Sequence, residues 1–232
     1  TPFKPFTIAQ INTAFVGDNS LQGLAAPLDG FRYRIGMEQY FGDYSFSAIN
    51  ADARKYLRLK PLTFAVRALT YMRIGRDGEN LYPLYVGFPY YIRGYDANSF
   101  YRSGGANGSS FNLSQLSGSK IAAANFEIRL PFTGPKNLAQ IESGFLLSDL
   151  NFFVDAGLAW DEDSTIKWDG KSSGAILPNG RPLERVPVLS TGVSLRINLF
   201  GYMVIEPYYA IPFQRNDMKN KGVFGVNFAP GW

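Results

Sequence analysis

The chain has 232 residues, enough for one large β domain. Its charged fraction of 18% is below the roughly 25% typical of soluble proteins, whereas its aromatic fraction is 16%. The net charge of +4 is mild and evenly spread, which argues against a nucleic-acid partner. The absence of cysteine and histidine excludes disulfides, thiol nucleophiles, a Ser-His-Asp triad and most zinc sites. We therefore expect no enzyme activity, no cofactor and no metal site.

Strand-like runs recur along the whole chain, whereas strong helix signals are missing. Apolar and polar residues alternate most clearly at 30–41, 62–74, 120–132, 146–160 and 188–199. Less regular strands are predicted near residues 6–16, 43–59, 82–92, 201–211 and 221–228. Together these runs predict an all-β chain of about ten antiparallel strands.

The alternating runs are long and rich in aromatic residues. Soluble strands average roughly 5–6 residues, while a tilted membrane strand needs roughly 9–11. No stretch approaches the roughly 18 consecutive apolar residues of a membrane helix. The tyrosines that suit an aromatic girdle at a lipid interface are Tyr82, Tyr85, Tyr90 and Tyr91. These features favour an antiparallel transmembrane β-barrel over a soluble β protein.

The connections between strands fall into two lengths. Short ones are predicted at 41–43, 60–61 and 200–201, and long ones at 17–29, 95–119 and 161–187. Membrane barrels have short periplasmic turns and long outer loops. We therefore assign residues 1–232 to a single barrel portion, with an inward-folded loop at about 92–118 and a long outer loop at about 161–187.

An arginine and two carboxylates are predicted to meet inside this barrel. Arg93 lies next to a Gly/Ser/Asn-rich stretch, and strand parity places Glu127 and Asp155 on the polar side of neighbouring strands. A loop folded into the lumen would bring the guanidinium to both carboxylates, where charge-assisted hydrogen bonds would hold it. Gly94 would allow a tight turn, and Tyr95 would pack against the wall. Taken singly, a solvated loop arginine and ordinary lumen carboxylates explain the same residues.

Together the motifs resemble the barrel of the BamA/TamA-type outer-membrane assembly and translocation superfamily, also known as the bacterial surface antigen type. Ile92-Arg93-Gly94-Tyr95 is similar to the family's (V/I)RG(F/Y) motif on its sixth extracellular loop. Phe153-Val154-Asp155-Ala156-Gly157 is similar to its F-x-D-x-G pattern on the thirteenth strand. The resemblance implies that Arg93 pairs with Asp155 in the lumen and that Glu127, on the twelfth strand, is a further partner. Gly157 belongs to the same set.

Two further segments resemble the family. Asp18, Pro27 and Gly30-Phe31-Arg32 are similar to its D…P…G-x-R hairpin. The last strand resembles the sorting signal of outer-membrane barrels, through Phe224, Val226, Phe228 and Trp232. Family barrels have sixteen strands and follow periplasmic POTRA domains, which are not present here. The resemblance therefore places this chain in the C-terminal part of the barrel, roughly strands seven to sixteen.

The resemblance implies a function in the outer membrane of Gram-negative bacteria. The integral barrel would assist insertion of outer-membrane proteins or translocation of polypeptides, by weak pairing of its first and last strands. Expected partners are outer-membrane lipid, client polypeptides, and accessory subunits or chain segments that complete the barrel. In the candidate seam strand 221–228, Gly222 and Gly225 would either weaken pairing or serve packing.

Two other functions remain open at this stage. The barrel could be a structural anchor for a periplasmic or surface domain. It could also be a passive, anion-preferring pore, unless its lumen arginines are paired with carboxylates. The arginines that parity directs inward are Arg32, Arg34, Arg67, Arg73, Arg129 and Arg196.

Overall fold

The computed structural model describes residues 6–102, 113–170, 172–178, 180–215, 218 and 221–228. Strands are the main elements of this part of the chain. They are β1 (Ile8–Asp18), β2 (Leu21–Gln22), β3 (Pro27–Gly42), β4 (Phe46–Leu59), β5 (Leu62–Ile74), β6 (Leu84–Tyr85), β7 (Ser117–Gly118), β8 (Lys120–Gly134), β9 (Ile141–Glu142), β10 (Leu147–Trp160), β11 (Thr165–Ile166), β12 (Glu184–Arg185), β13 (Val188–Leu199), β14 (Met203–Pro212) and β15 (Val223–Phe228). A short α-helix, α1 (Ala97–Arg102), and a 3-10 helix (Leu113–Leu116) lie between β6 and β7.

The longer strands form one sheet in the order β1-β3-β4-β5-β8-β10-β13-β14-β15. Each is antiparallel to its neighbour in this order. Among the residues described, β1 pairs with β3 alone and β15 with β14 alone, so these two strands are the edges of the sheet. The predicted all-β antiparallel class is confirmed, and its strands of up to 16 residues are far longer than the roughly 5–6 residues of a soluble strand.

The strand predicted at 82–92 is wrong. Only Leu84–Tyr85 is extended there, and it pairs with Ser117–Gly118 instead of joining the large sheet. Turns follow at once, with the backbone N–H groups of Tyr91 and Ile92 both donating to the carbonyl of Phe88. Pro83 and Pro89 lack the N–H groups that a central strand must donate. The sheet therefore has one long strand fewer than the ten predicted, and the tyrosine-rich segment lies in a loop.

The two faces of the sheet have opposite polarity. In β10 the side chains of Asn151 and Asp155 are fully buried, while Phe152 and Val154 are 46% and 36% exposed. We call the face that carries Asp155 the inner face and the face that carries Phe152 the outer face. Buried polar residues and exposed apolar residues reverse the distribution found in soluble proteins, and they match a barrel with a polar interior and an apolar outer band.

Connections leave the sheet at two ends. The loop end carries the connections 43–45, 75–119, 161–187 and 213–222, and the turn end carries 19–26, 60–61, 135–146 and 200–202. The long connection predicted at 17–29 is shorter than expected, because β1 ends at Asp18 and β3 begins at Pro27, and the residues between them lie at the turn end. The turn at 41–43 lies at the loop end. No helix in the described part of the chain is long and apolar enough to span a membrane.

Candidate functional site at the inner face

Strand register places three carboxylates on the inner face. On adjacent strands, Asp155 of β10 lies opposite Asn125 of β8, and Glu127 of β8 lies opposite Phe153 of β10. The two acids are therefore diagonal neighbours, offset by two residues along the strands. Glu206 is on β14, and its side chain is also buried on this face. Isolated buried carboxylates are unfavourable, so this arrangement requires cations nearby.

Arg93 supplies the central cation. It lies in the segment 84–96, called here the inner arm, which follows β5 and folds against the inner face. Its Nε and Nη2 donate to the two oxygens of Asp155, both at 2.8 Å. Nη2 is also 2.9 Å from Glu127, and Nη1 is 2.9 Å from Glu206. The backbone N–H of Arg93 donates to Asp155 at 3.1 Å. One loop residue thereby joins β8, β10 and β14.

Two further arginines complete the charge balance. Arg129 Nε is 2.8 Å from Glu127, and Arg196 Nη2 is 2.9 Å from the same carboxylate. Arg196 Nε also lies 3.4 Å from Glu206. We call the six residues Arg93, Arg129, Arg196, Glu127, Asp155 and Glu206 the Arg93 cluster. Its three positive and three negative groups are nearly inaccessible to water, so removal of one partner leaves a charge without compensation.

Aromatic and small residues shape the space around Arg93. The guanidinium carbon of Arg93 is 3.6 Å from the ring centre of Phe153, a cation–π contact between two buried side chains. Gly94 has φ of 89°, and a Cβ there would lie 3.0 Å from the Cβ of Ala210. A Cβ at Gly157 would lie 3.4 Å from Ile92, so glycine leaves room for the inner arm.

Tyr95 fixes the far side of the same turn. Its side chain is buried, and its Oη lies 2.7 Å from Oε1 of Gln214 and 3.0 Å from the carbonyl of Leu189. The Oη also accepts the backbone N–H of Gln214 at 3.2 Å. Tyr95 therefore holds the inner arm to the loop end of β13 and to the connection after β14.

An apolar cluster packs the inner arm onto the sheet. Its buried members are Val86, Ile92, Tyr95, Leu116, Ile121, Ala123, Ala159 and Val188. Burial of aliphatic side chains contributes about 1.5–3 kcal/mol each. The Arg93 cluster therefore adds specificity to a segment that apolar contacts also hold.

The other side of the inner arm contacts β4 and β5. Arg54 donates to the Oη of Tyr90 and Arg67 to its carbonyl, both at 3.1 Å, and the guanidinium carbon of Arg67 is 4.2 Å from the Tyr90 ring centre. Asp52 pairs with both arginines, at 2.7 and 2.9 Å. The prediction that Tyr90 belongs to a lipid-facing girdle is wrong, because Tyr90 packs on the inner face. Asp52 and Arg54 are two residues apart on β4, and Arg67 lies opposite Arg54 on β5, so alternation alone could have placed all three on the inner face.

A separate ion cluster holds the outer loop 161–187 at the loop end. Asp161 is buried and pairs with Arg185 and Arg181. Its carboxylate also accepts the backbone N–H of Ser119, 2.8 Å away. Arg185 donates as well to the carbonyls of Ser114 and Ser117. The outer loop is therefore attached to the segment that returns from the inner arm to β8.

The structure brings Arg93, Glu127 and Asp155 together, with Gly94, Tyr95 and Gly157 around them. Sequence reasoning missed Glu206 as a partner of Arg93. Of the six arginines that parity directs inward, Arg32, Arg67, Arg129 and Arg196 are paired with carboxylates. Arg73 donates instead to the carbonyl of Tyr82, and Arg34 forms no ion pair with the described residues.

The final strand carries the other predicted residues. Phe224, Val226 and Phe228 are exposed on the outer face of β15, and Trp232 lies outside the described residues. A Cβ at Gly225 would meet the ring of Tyr208, and one at Gly222 would meet the ring of Tyr209. Both glycines therefore serve packing against the neighbouring strand.

Comparison with known proteins gives one match. A family model described as the Omp85 superfamily domain matches residues 6–231. The matched range includes all of the strands, the inner arm and the Arg93 cluster. A search of curated proteins finds no match.

Proposed function

Because this chain belongs to the Omp85 superfamily, we propose that it is part of an outer-membrane barrel that assists insertion of outer-membrane proteins or translocation of polypeptides. The family match confirms the resemblance to BamA/TamA-type barrels. The observation that carries the proposal is the insertion of Arg93 among Glu127, Asp155 and Glu206.

The outer face supports the location in a membrane. Its exposed side chains on adjacent strands are apolar, including Val66, Phe126, Val154 and Val193. The inner face carries the buried charges. Lipid can solvate the first set, and the second set is compensated within the protein.

The edge at β15 supports contact with a polypeptide. Within the residues described, β15 pairs with β14 on one side, and its other edge has no partner strand. A cavity of about 710 Å³ lies beside it, bounded by Phe88 and Asp96 of the inner arm and by Tyr208 and Gly225 of the sheet. An unpaired edge offers backbone N–H and C=O groups to an extended segment, the contact used in β-augmentation. The inner arm forms one wall of this cavity and so links the Arg93 cluster to the edge.

The paired arginines argue against the passive-pore alternative. Arg129 and Arg196 add no uncompensated positive charge, because they belong to the balanced Arg93 cluster, whereas Asp52 is shared between Arg54 and Arg67. The inner arm also occupies space that a permeant ion would need. An anion-selective current is therefore not the expected activity.

The test replaces Arg93 with alanine in the full-length protein, purified into proteoliposomes. We expect the variant to fold but to lose its folded gel mobility at a lower temperature than the unchanged protein. We also expect it to insert a model outer-membrane protein, or translocate a secreted polypeptide, more slowly. The matched control is Arg76→Ala, since the Arg76 side chain is 78% exposed at the loop end. An Arg93→Ala protein with unchanged heat-modifiability and full activity would contradict the proposal.

A further inference from the structure

The connection between β1 and β3 also folds inward, from the opposite end of the sheet. We call residues 23–28 the turn-end segment. Ala25 and Ala26 are each 1% exposed, and Leu28 is 9% exposed. A turn on the surface of a protein normally exposes its backbone and small side chains. Burial of these apolar residues shows that the segment packs into the protein.

The contacts of the turn-end segment lie on distant strands. Asn198 of β13 donates from Nδ2 to the carbonyl of Leu24 at 2.8 Å. Arg129 of β8 donates from Nη1 to the carbonyl of Pro27 at 3.2 Å. A Cβ built on Gly134 would lie 2.6 Å from Cδ1 of Leu24. The segment therefore follows β2, contacts β13 through Leu24, and contacts β8 through Pro27 at the start of β3.

Arg129 connects this segment to the Arg93 cluster. Its Nη1 binds the carbonyl of Pro27, and its Nε is 2.8 Å from Oε2 of Glu127. The other oxygen of Glu127 is 2.9 Å from Arg93. A continuous chain of charge-assisted hydrogen bonds thus runs from the turn-end backbone to the inner arm. Movement of the inner arm would withdraw Arg93 from Glu127, which is fully buried, and movement of the turn-end segment would remove the Pro27 carbonyl from Arg129.

Polar groups line the space beside this chain. Thr63 and Asn151 flank Arg129 in one row across β5, β8 and β10. Both are fully buried, and each has a side-chain oxygen without a hydrogen-bond partner among the described residues. Buried polar groups of this kind are normally satisfied by water. The inner face near the turn end is therefore polar enough to pass water and ions when it is open to solvent.

We propose that the turn-end segment is a second inward arm, which closes the turn-end half of the lumen and stabilises the Arg93 cluster through Arg129 and Glu127. The inference rests on the proposed membrane barrel but not on its client or on its transport activity. Its two consequences are separable. Displacement of the segment should raise ion conductance, and it should also weaken the attachment of the inner arm.

The first experiment displaces the segment by a wedge. Gly134→Val adds side-chain atoms where Leu24 lies, whereas Gly144→Val is the matched control because a Cβ at Gly144 meets nothing within 4 Å. The full-length proteins are reconstituted in planar bilayers. We expect Gly134→Val to raise the mean conductance severalfold and Gly144→Val to leave it unchanged. Equal conductance of the three proteins would overturn the proposal.

A cross-link tests the closed state without disturbing the fold. The 232-residue sequence contains no cysteine, so Leu24→Cys with Gly134→Cys introduces one possible pair. We expect this pair to form a disulfide under mild oxidation in the folded protein, and Leu24→Cys with Gly144→Cys to stay reduced. Oxidation should hold the conductance at its low value. Failure of the first pair to link in a folded protein would show that the segment lies elsewhere.

A double-mutant cycle tests the connection to Arg93. Asn198→Ala removes the bond to Leu24 and leaves every charged residue in place. The unfolding midpoint is measured for the unchanged protein, for Asn198→Ala, for Arg93→Lys and for the double variant. We expect non-additive effects, since Arg93 contacts Glu127 directly and the turn-end segment is connected to Glu127 through Arg129. Strict additivity would refute the connection, and because polypeptide insertion is not measured, that result would leave the proposed function standing.

Discussion

Arg93 and Asp155 form a two-point ion pair, with Nε and Nη2 each 2.8 Å from one carboxylate oxygen. The planar guanidinium matches the carboxylate, so the pair fixes the orientation of the inner arm as well as its position. The backbone N–H of Arg93 adds a third bond to the same carboxylate, at 3.1 Å. Lysine could satisfy the charge but not this geometry.

Asp155→Asn should destabilise the folded protein. The substitution keeps the volume but leaves the buried Arg93 short of a counter-charge, and loss of one partner of a buried pair costs about 3–5 kcal/mol. Urea unfolding followed by tryptophan fluorescence would measure the shift in midpoint. Asp163→Asn is the control, because Asp163 is exposed at the loop end. Equal midpoints for the two variants would show that the pair is not important for stability.

Gly94→Ala should lower the free energy of unfolding by more than the backbone strain alone would. Alanine at positive φ costs about 1–2 kcal/mol, and here the new Cβ would also lie 3.0 Å from Ala210. Gly201→Ala isolates the strain, since Gly201 has φ of 81° and a Cβ there meets nothing within 4 Å. Chemical denaturation of both variants would give the difference. A larger loss for Gly201→Ala would contradict the close approach to Ala210.

Tyr90→Phe should weaken the attachment of the inner arm to β4. The change removes the oxygen that accepts a bond from Arg54 and keeps the ring beside Arg67. Hydrogen bonds to charged groups contribute about 1.5–3 kcal/mol, and partial access to water reduces that here. Hydrogen exchange of the amides in 84–96 should quicken, whereas Tyr82→Phe should leave it unchanged because Tyr82 is 90% exposed.

Asp161→Asn should release the outer loop 161–187 without unfolding the sheet. The carboxylate holds Arg181 and Arg185 together with the backbone of Ser119. Limited proteolysis should cut within 162–183 faster than in the unchanged protein, while the strands stay protected. Glu162→Gln, at an exposed neighbouring position, should leave the cleavage rate the same. A faster rate in both variants would point to a general effect of charge.

The strands were predictable because their signal is local. Alternation in β8 and β10 fixed which side chains face inward, and it placed Glu127 and Asp155 together before any contact was known. The segment 82–92 was predicted as a strand from its aromatic and apolar content, although its tyrosines do not alternate with the period of a strand. The prolines at 83 and 89 were the contrary evidence.

The partners of the inner arm were harder to predict. Glu206 is 113 residues from Arg93, and nothing in the local sequence links them. The turn-end segment shows the same limit, because the bond from Asn198 to Leu24 joins residues 174 positions apart. Alternation along a strand gives the face on which a residue lies, whereas these long-range contacts depend on the curvature of the whole sheet. Only the assembled sheet brings such residues within reach.

The separation between Arg93 and Glu206 also orders the folding of the chain. Closing a loop of 113 residues costs conformational entropy before any contact compensates it. The bonds to Asp155 and Glu127 can form once β10 has joined β8, but the third carboxylate arrives only with β14. Docking of the inner arm is therefore complete only after nearly all of the sheet has formed, which makes it a late step that reports whether the preceding strands have paired in the correct register.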